Sequence, residues 1–150
     1  YLEDYKNNTY NFPVKKNFND WDFKELIEKN IIKKILDFKP EVVILLMGTD
    51  CLEDDPMSSM RLSNNAMSWI IQIFKDNSKK IILTGGGGYN PWLLARAWTN
   101  NLAELLSINI ENIINDDAKN ILKKIKWNKK IDKKKYISWT NSIKDKLNIF

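Results

Sequence analysis

Histidine is absent from these 150 residues, and cysteine occurs once, as Cys51. Any histidine that the chemistry requires must therefore come from outside the sequence. A single thiol cannot close an internal disulfide, which fits a reducing compartment and makes a cytoplasmic location the expectation. Long apolar runs are also missing. A membrane-spanning helix takes about 20 apolar residues, whereas the longest run here, Val42 to Met47, is strand-sized, so no membrane association is expected. The polar start, Tyr1 to Asn11, has no apolar stretch for a secretory signal and no initiator methionine, and it reads as the middle of a longer chain. What the composition does supply is 43% hydrophobic residues, enough for about one domain or a large piece of one.

Charge is unevenly spread. The formal net charge is +5, yet Lys119 to Phe150 holds eleven lysines against Asp132 and Asp145, so the rest of the chain is net negative. A basic stretch can mark a nucleic-acid or acidic partner. Here the aromatic interleaving is thin and no nucleic-acid recognition motif accompanies the lysines. They read as the solvated surface of a chain rich in Lys, Asn and Ile.

Hydrophobic spacing organises the first 110 residues. Residues 1–19 are polar and irregular, anchored by Tyr10, Phe12, Pro13 and Val14. Asp20 and Asp22 are placed to cap a helix whose apolar positions are Phe23, Leu26, Ile27, Ile31, Ile35 and Leu36, and Pro40 closes it. Val42 to Met47 is apolar on both faces, which predicts a strand buried on both sides of a parallel sheet. After a loop, Ser63 is placed to cap a helix carrying Met67, Ile70, Ile71 and Phe74. A second strand, Ile81 to Thr84, runs directly into Gly85-Gly86-Gly87-Gly88. Pro91 suits a first helical turn, and Leu94, Ala97, Trp98, Leu102 and Leu105 line the helix that follows. Strand, helix, strand and helix make a βαβ unit with a right-handed crossover expected. A final helix near Ala118 to Ile125 and a lysine-rich tail, about 111–150, complete the chain.

In open α/β sheets, chemistry gathers beyond the carboxyl ends of the strands. Gly48-Thr49-Asp50 and Gly85 to Tyr89 both lie there and should be neighbours. Asp50 can act as an oxygen ligand to a metal or as an ordinary loop aspartate. Glu53, Asp54 and Asp55 make a metal-binding loop conceivable but unspecific. Four consecutive glycines demand either positive φ or the close approach of a ligand. A phosphate loop would need Gly-Lys-Ser/Thr, and a dinucleotide site spaced glycines; Tyr89-Asn90-Pro91 follows instead. Tyr89 can direct its hydroxyl at an oxyanion, or it can simply pack over the loop.

Together the motifs are far more specific. Gly48-Thr49-Asp50-Cys51-Leu52-Glu53-Asp54-Asp55-Pro56-Met57, Leu62-Ser63-Asn64-Asn65-Ala66, Gly85-Gly86-Gly87-Gly88-Tyr89-Asn90-Pro91-Trp92 and Ala95-Arg96-Ala97-Trp98-Thr99 closely resemble the histone deacetylase superfamily. The likeness is greatest to its bacterial members, the acetoin-utilisation proteins and histone-deacetylase-like amidohydrolases. Tyr10 to Val14 and Phe38 to Glu41 resemble the stretch preceding those motifs. Ile121 to Ile125, Trp127 and Trp139 resemble the family's C-terminal tail.

The resemblance implies an arginase/deacetylase-type α/β fold, a mainly parallel sheet flanked by helices, here truncated to the C-terminal part of a single domain spanning 1–150. It implies zinc-dependent hydrolysis of N-acetyl amides, most simply acetyl-lysine in a protein. Asp50 takes the place of a zinc ligand, and Tyr89 that of the tyrosine bonding the substrate carbonyl and its tetrahedral intermediate. Pro56, Met57, Gly87 and Gly88 shape the acyl-lysine channel. The family's second aspartate, histidine ligand and histidine pair would lie upstream. Arg96 reads as a buried ion pair or packing residue, and Cys51 as packing. Two alternatives stay open: a non-catalytic fragment or pseudoenzyme offering only a binding surface, and an amidohydrolase of the same fold acting on acetylpolyamines or another small amide.

Overall fold

The first helix starts where the sequence places it but takes a different cap. The computed structural model describes residues 9–146 and 148–150. Asn19 is the cap of helix α1 (Asp20–Leu26): its side-chain oxygen accepts the Trp21 N–H at 2.9 Å, and Asp22 returns a bond to the Asn19 N–H. This reciprocal pair satisfies backbone donors that the first turn leaves free. Asp20 turns inward instead and is buried, accepting the Ser63 N–H at 2.8 Å and the Ser63 hydroxyl at 2.6 Å. Ser63 accordingly makes no side-chain cap for the helix it precedes.

A π-helical turn, Ile27–Ile31, joins α1 to α2 (Ile32–Phe38). One extra residue in a turn rotates everything after it by about 100°. Ile27 and Ile35 therefore share the buried face, whereas Leu36, expected inside, stands 50% exposed. Lys39 ends the helix in the left-handed conformation, one residue before Pro40.

Strands β1 (Val42–Leu46) and β2 (Lys80–Thr84) pair in parallel, Val42 opposite Lys80 and Leu46 opposite Thr84, with helix α3 (Asn64–Asn77) between them in sequence. Helices cover one face only among the described residues. Val43 and Met47 are buried, but Ile44 and Leu46 are 66% and 73% exposed, and Ile82 shares their face. The expected burial on both sides is thus not met within these residues. The pattern Val42 to Met47 describes a strand that needs cover on both faces, and the described residues supply it on one.

Helix α4 (Pro91–Leu105) packs along α3, and α5 (Asp116–Lys123) and α6 (Lys133–Asn141) close over it. Asn90 caps α4, accepting the Trp92 and Leu93 N–H groups, and Pro91 occupies the first turn. The tail is part of the same core. Trp92, fully buried, stacks with Trp139, meets Trp127 at a tilt and Tyr136 edge-on, and donates its indole N–H to the Leu122 carbonyl at 3.0 Å. Two helices stand where one was expected, and both serve to cover Trp92. No helix among the described residues is long and apolar enough to cross a membrane.

Candidate active site

Parallel pairing brings the two strand-end loops together, and backbone bonds continue the ladder into them. The Met47 N–H reaches the Thr84 carbonyl at 2.9 Å, and the Thr49 N–H reaches the Gly87 carbonyl at 2.7 Å. Asp50 follows at once, with its carboxylate seated against Gly87. A Cβ on Gly87 would lie 2.0 Å from Asp50 Oδ2, so only glycine allows this approach. Gly88 has φ of +152°, and a Cβ there would strike Thr49 Oγ1 at 2.1 Å, so both conformation and space demand glycine.

Tyr89 leaves this loop with its side chain 56% exposed. Among the described residues nothing covers its ring, and it does not pack down over the glycines. Its backbone is firmly held. Asp55, only 5% exposed, accepts the Tyr89 N–H at 2.7 Å and the Asn90 N–H at 3.1 Å on Oδ2, and the Met57 N–H at 2.9 Å on Oδ1. The Asn90 amide also donates to the Asp54 carbonyl at 3.3 Å. Pro56 and the exposed Met57 sit on the turn that Asp55 closes. The structure therefore gathers Asp50, Gly87, Gly88, Tyr89, Pro56 and Met57 around two bonded loops.

The neighbouring acids are otherwise engaged. Glu53 pairs with Arg61 at 2.7 Å, Asp54 pairs with Lys135, and Asp55 is taken up by backbone donors. A metal-binding loop made of these three is not what forms. Cys51 lines an apolar cavity of about 380 Å³ with Phe18, Leu45 and Met67, and its thiol donates to the Gly48 carbonyl. Burial, with Asp50 and Asp55 adding to it, pushes that thiol up to about 11. It is a packing residue. Arg96 is buried and ion-paired with Asp145 at 2.6 Å. Sequence reasoning placed Asp55 among the loop acids and did not foresee these backbone partners. The available signal was an aspartate directly before proline, which favours turn initiation.

Whether a metal fits can be judged from the donors. The Asp50 carboxylate has no hydrogen bond or ion pair among the described residues, which leaves an oxygen donor uncommitted. No group of three His, Cys, Asp or Glu residues is gathered among them. Among the described residues Asp50 offers one candidate ligand, whereas catalytic zinc takes three from protein.

The histone deacetylase domain family model matches residues 2–105. The chain belongs to the histone deacetylase family. It is similar to histone deacetylase clr6 of Schizosaccharomyces pombe, 36% identical over 95 residues that make up 63% of this chain and 23% of that protein. It is also similar to the acetoin utilization protein AcuC of Staphylococcus xylosus, 30% identical over 65% of this chain and 27% of the relative. Among solved structures, the histone deacetylase homologue of Aquifex aeolicus superposes with a TM-score of 0.78 at 33% identity, covering 91% of this chain and 37% of that one. A histone deacetylase homologue complexed with SAHA gives 0.73. The fold is the arginase/deacetylase type. A superposition over 91% of the chain must extend well past residue 105, so it takes in much of the helical tail. The chain spans about a quarter of the length of the curated relatives it matches.

Proposed function

We propose that this chain forms part of the active site of a zinc-dependent deacetylase that hydrolyses N-acetyl amides, with acetyl-lysine in proteins as the substrate class. The observation that carries the reading is the seating of the Asp50 carboxylate on Gly87, two residues before the exposed Tyr89. Asp50 would hold zinc together with ligands from outside this sequence. When bound, zinc supplies a Lewis acid for the amide carbonyl. Tyr89 donates its hydroxyl to the same carbonyl oxygen, and that bond strengthens as the oxygen gains charge. Met57 and Pro56 flank the approach and offer apolar contact to an acyl-lysine chain, Met57 as a soft, adaptable wall. Gly87 and Gly88 keep the floor of the site free of side chains.

The supporting facts are family membership, deacetylases among the relatives, and a solved neighbour complexed with SAHA. With one ligand in hand, residues 1–150 alone would be inactive. The test is turnover of an acetyl-lysine peptide and of an acetylpolyamine by the complete domain, with zinc content measured in parallel. Zinc-dependent release of acetate from the peptide is expected. Hydrolysis confined to the polyamine would move the substrate class, and no turnover at full zinc occupancy would leave only a binding role.

A further inference from the structure

We propose that Asp55 is the positioning residue of this site, a buried clamp that sets Tyr89 and Met57 in register with each other. The inference rests on the deacetylase reading in one respect, that Tyr89 acts on the substrate. The geometry is specific. One carboxylate oxygen accepts two successive N–H groups, those of Tyr89 and Asn90, and the other accepts the N–H of Met57. Asp55 is nearly fully buried, and these backbone donors, rather than a cation, satisfy it among the described residues. Bonds to a charged acceptor are shorter and about twice as strong as neutral ones.

The need for a clamp follows from the loop itself. Gly85 to Gly88 has no side chains with which to anchor, and glycine restrains its own backbone less than any other residue does. The Tyr89 side chain, half exposed, contributes little packing of its own. On its far side Tyr89 is followed by the Asn90 cap of α4, which fixes the helix but not the tyrosine. Asp55 bridges that gap. It also carries the position of Tyr89 across to Met57, so the group that bonds the carbonyl and the wall that guides the acyl chain move as one. Asparagine cannot replace it, because it offers one acceptor oxygen and turns an N–H₂ toward backbone donors on the other side.

The experiment uses Asp55→Asn in the complete domain, alone and combined with Tyr89→Phe. Zinc content should be unchanged, kcat should fall roughly 10- to 100-fold through misplacement of Tyr89, and KM should move less. On the Tyr89→Phe background, the same substitution should cost little more, since the hydroxyl it positions has gone. Amide exchange should quicken at Tyr89 and Asn90 while Leu93 and Ala97 in α4 stay protected. A full, additive loss of kcat on that background would reduce Asp55 to general support of the fold and overturn the proposal. So would unchanged exchange at Tyr89. Where Asp55→Asn yields too little folded protein, the wild type carries the test: Tyr89 and Asn90 amides exchanging at unprotected loop rates would refute the clamp. A wild-type domain without turnover would instead sink the deacetylase reading, an outcome separate from the exchange result.

Discussion

Arg96 in α4 donates to the carboxylate of Asp145, 49 residues further along, at 2.6 Å, while its Nε holds the Ser142 carbonyl at the same distance. The other Asp145 oxygen accepts the Asn64 N–H at 2.9 Å, and the Asn64 side chain bonds back to the Asp145 N–H. One aspartate thus caps α3, neutralises a buried guanidinium and fastens the end of the tail. Removing one partner of a buried pair typically costs about 3–5 kcal/mol. Asp145→Ala should lower stability by about that amount, read from urea unfolding. A loss under about 1 kcal/mol would show that solvent at this partly exposed pair already screens it.

Gly87→Ala should act on the metal rather than on the fold at large. The added methyl collides with the Asp50 carboxylate, whose oxygen lies 2.0 Å from that position. Asp50 must swing away, so zinc occupancy of the complete domain should fall together with turnover. Normal zinc content in the alanine variant would mean that Asp50 is not a ligand.

The isolated chain should neither hold zinc tightly nor stay monomeric. Among the described residues Asp50 is a single candidate ligand, and Ile44, Leu46 and Ile82 form an uncovered apolar sheet face. Sedimentation of residues 1–150 should show association that weakens in an Ile44→Thr, Ile82→Thr double variant. A monomer with a sharp cooperative melt would contradict this.

Asp20 gives stability a pH dependence of unusual sign. Burial raises its carboxyl above the ordinary 3.8, with Asp145 and Glu53 adding to the rise, while the two bonds from Ser63 pull it back. The folded state therefore binds a proton more readily than the unfolded chain between 3.8 and the raised value. In that window stability falls as pH rises. Wild type should lose ground to Asp20→Asn as pH climbs from about 3.8, and a stability difference flat across that range would refute the assignment.

What the sequence made legible was chiefly local. Strands, the two adjoining loops and the helices α3 and α4 follow from apolar spacing and from glycine and proline punctuation. Leu36 was misplaced because a π turn leaves no mark in the hydrophobic pattern. Ile44 and Leu46 were expected inside because the pattern describes the strand's requirement, and the layer that would meet it is not among the described residues. The partners of Asp20, Asp55 and Asp145 escaped notice for one shared reason. Each bonds backbone groups more than 30 residues away, and such partners are set by the fold and not by spacing. The placement of Asp50 and Tyr89 on adjoining strand-end loops was legible, because both follow directly on apolar strands and the two strands pair in parallel.

Tyr89→Phe separates chemistry from structure most sharply. The ring stays, the backbone bonds to Asp55 stay, and the exposed side chain has little packing to lose, so stability should hardly change. If the hydroxyl meets the developing oxyanion, its loss removes a donor used most strongly in the transition state. Loss of one such donor typically costs about 2.7–4 kcal/mol, or roughly 10²–10³ in kcat. KM should move far less, because the loop and channel that bind the ground state are intact. Asp50→Asn should differ in kind, lowering zinc content as well as rate. Steady-state kinetics on an acetyl-lysine peptide, with metal content determined on the same preparations, distinguishes the two. A Tyr89→Phe enzyme that turns over at the wild-type rate with full zinc occupancy would remove Tyr89 from the chemistry and leave it a surface residue of the loop.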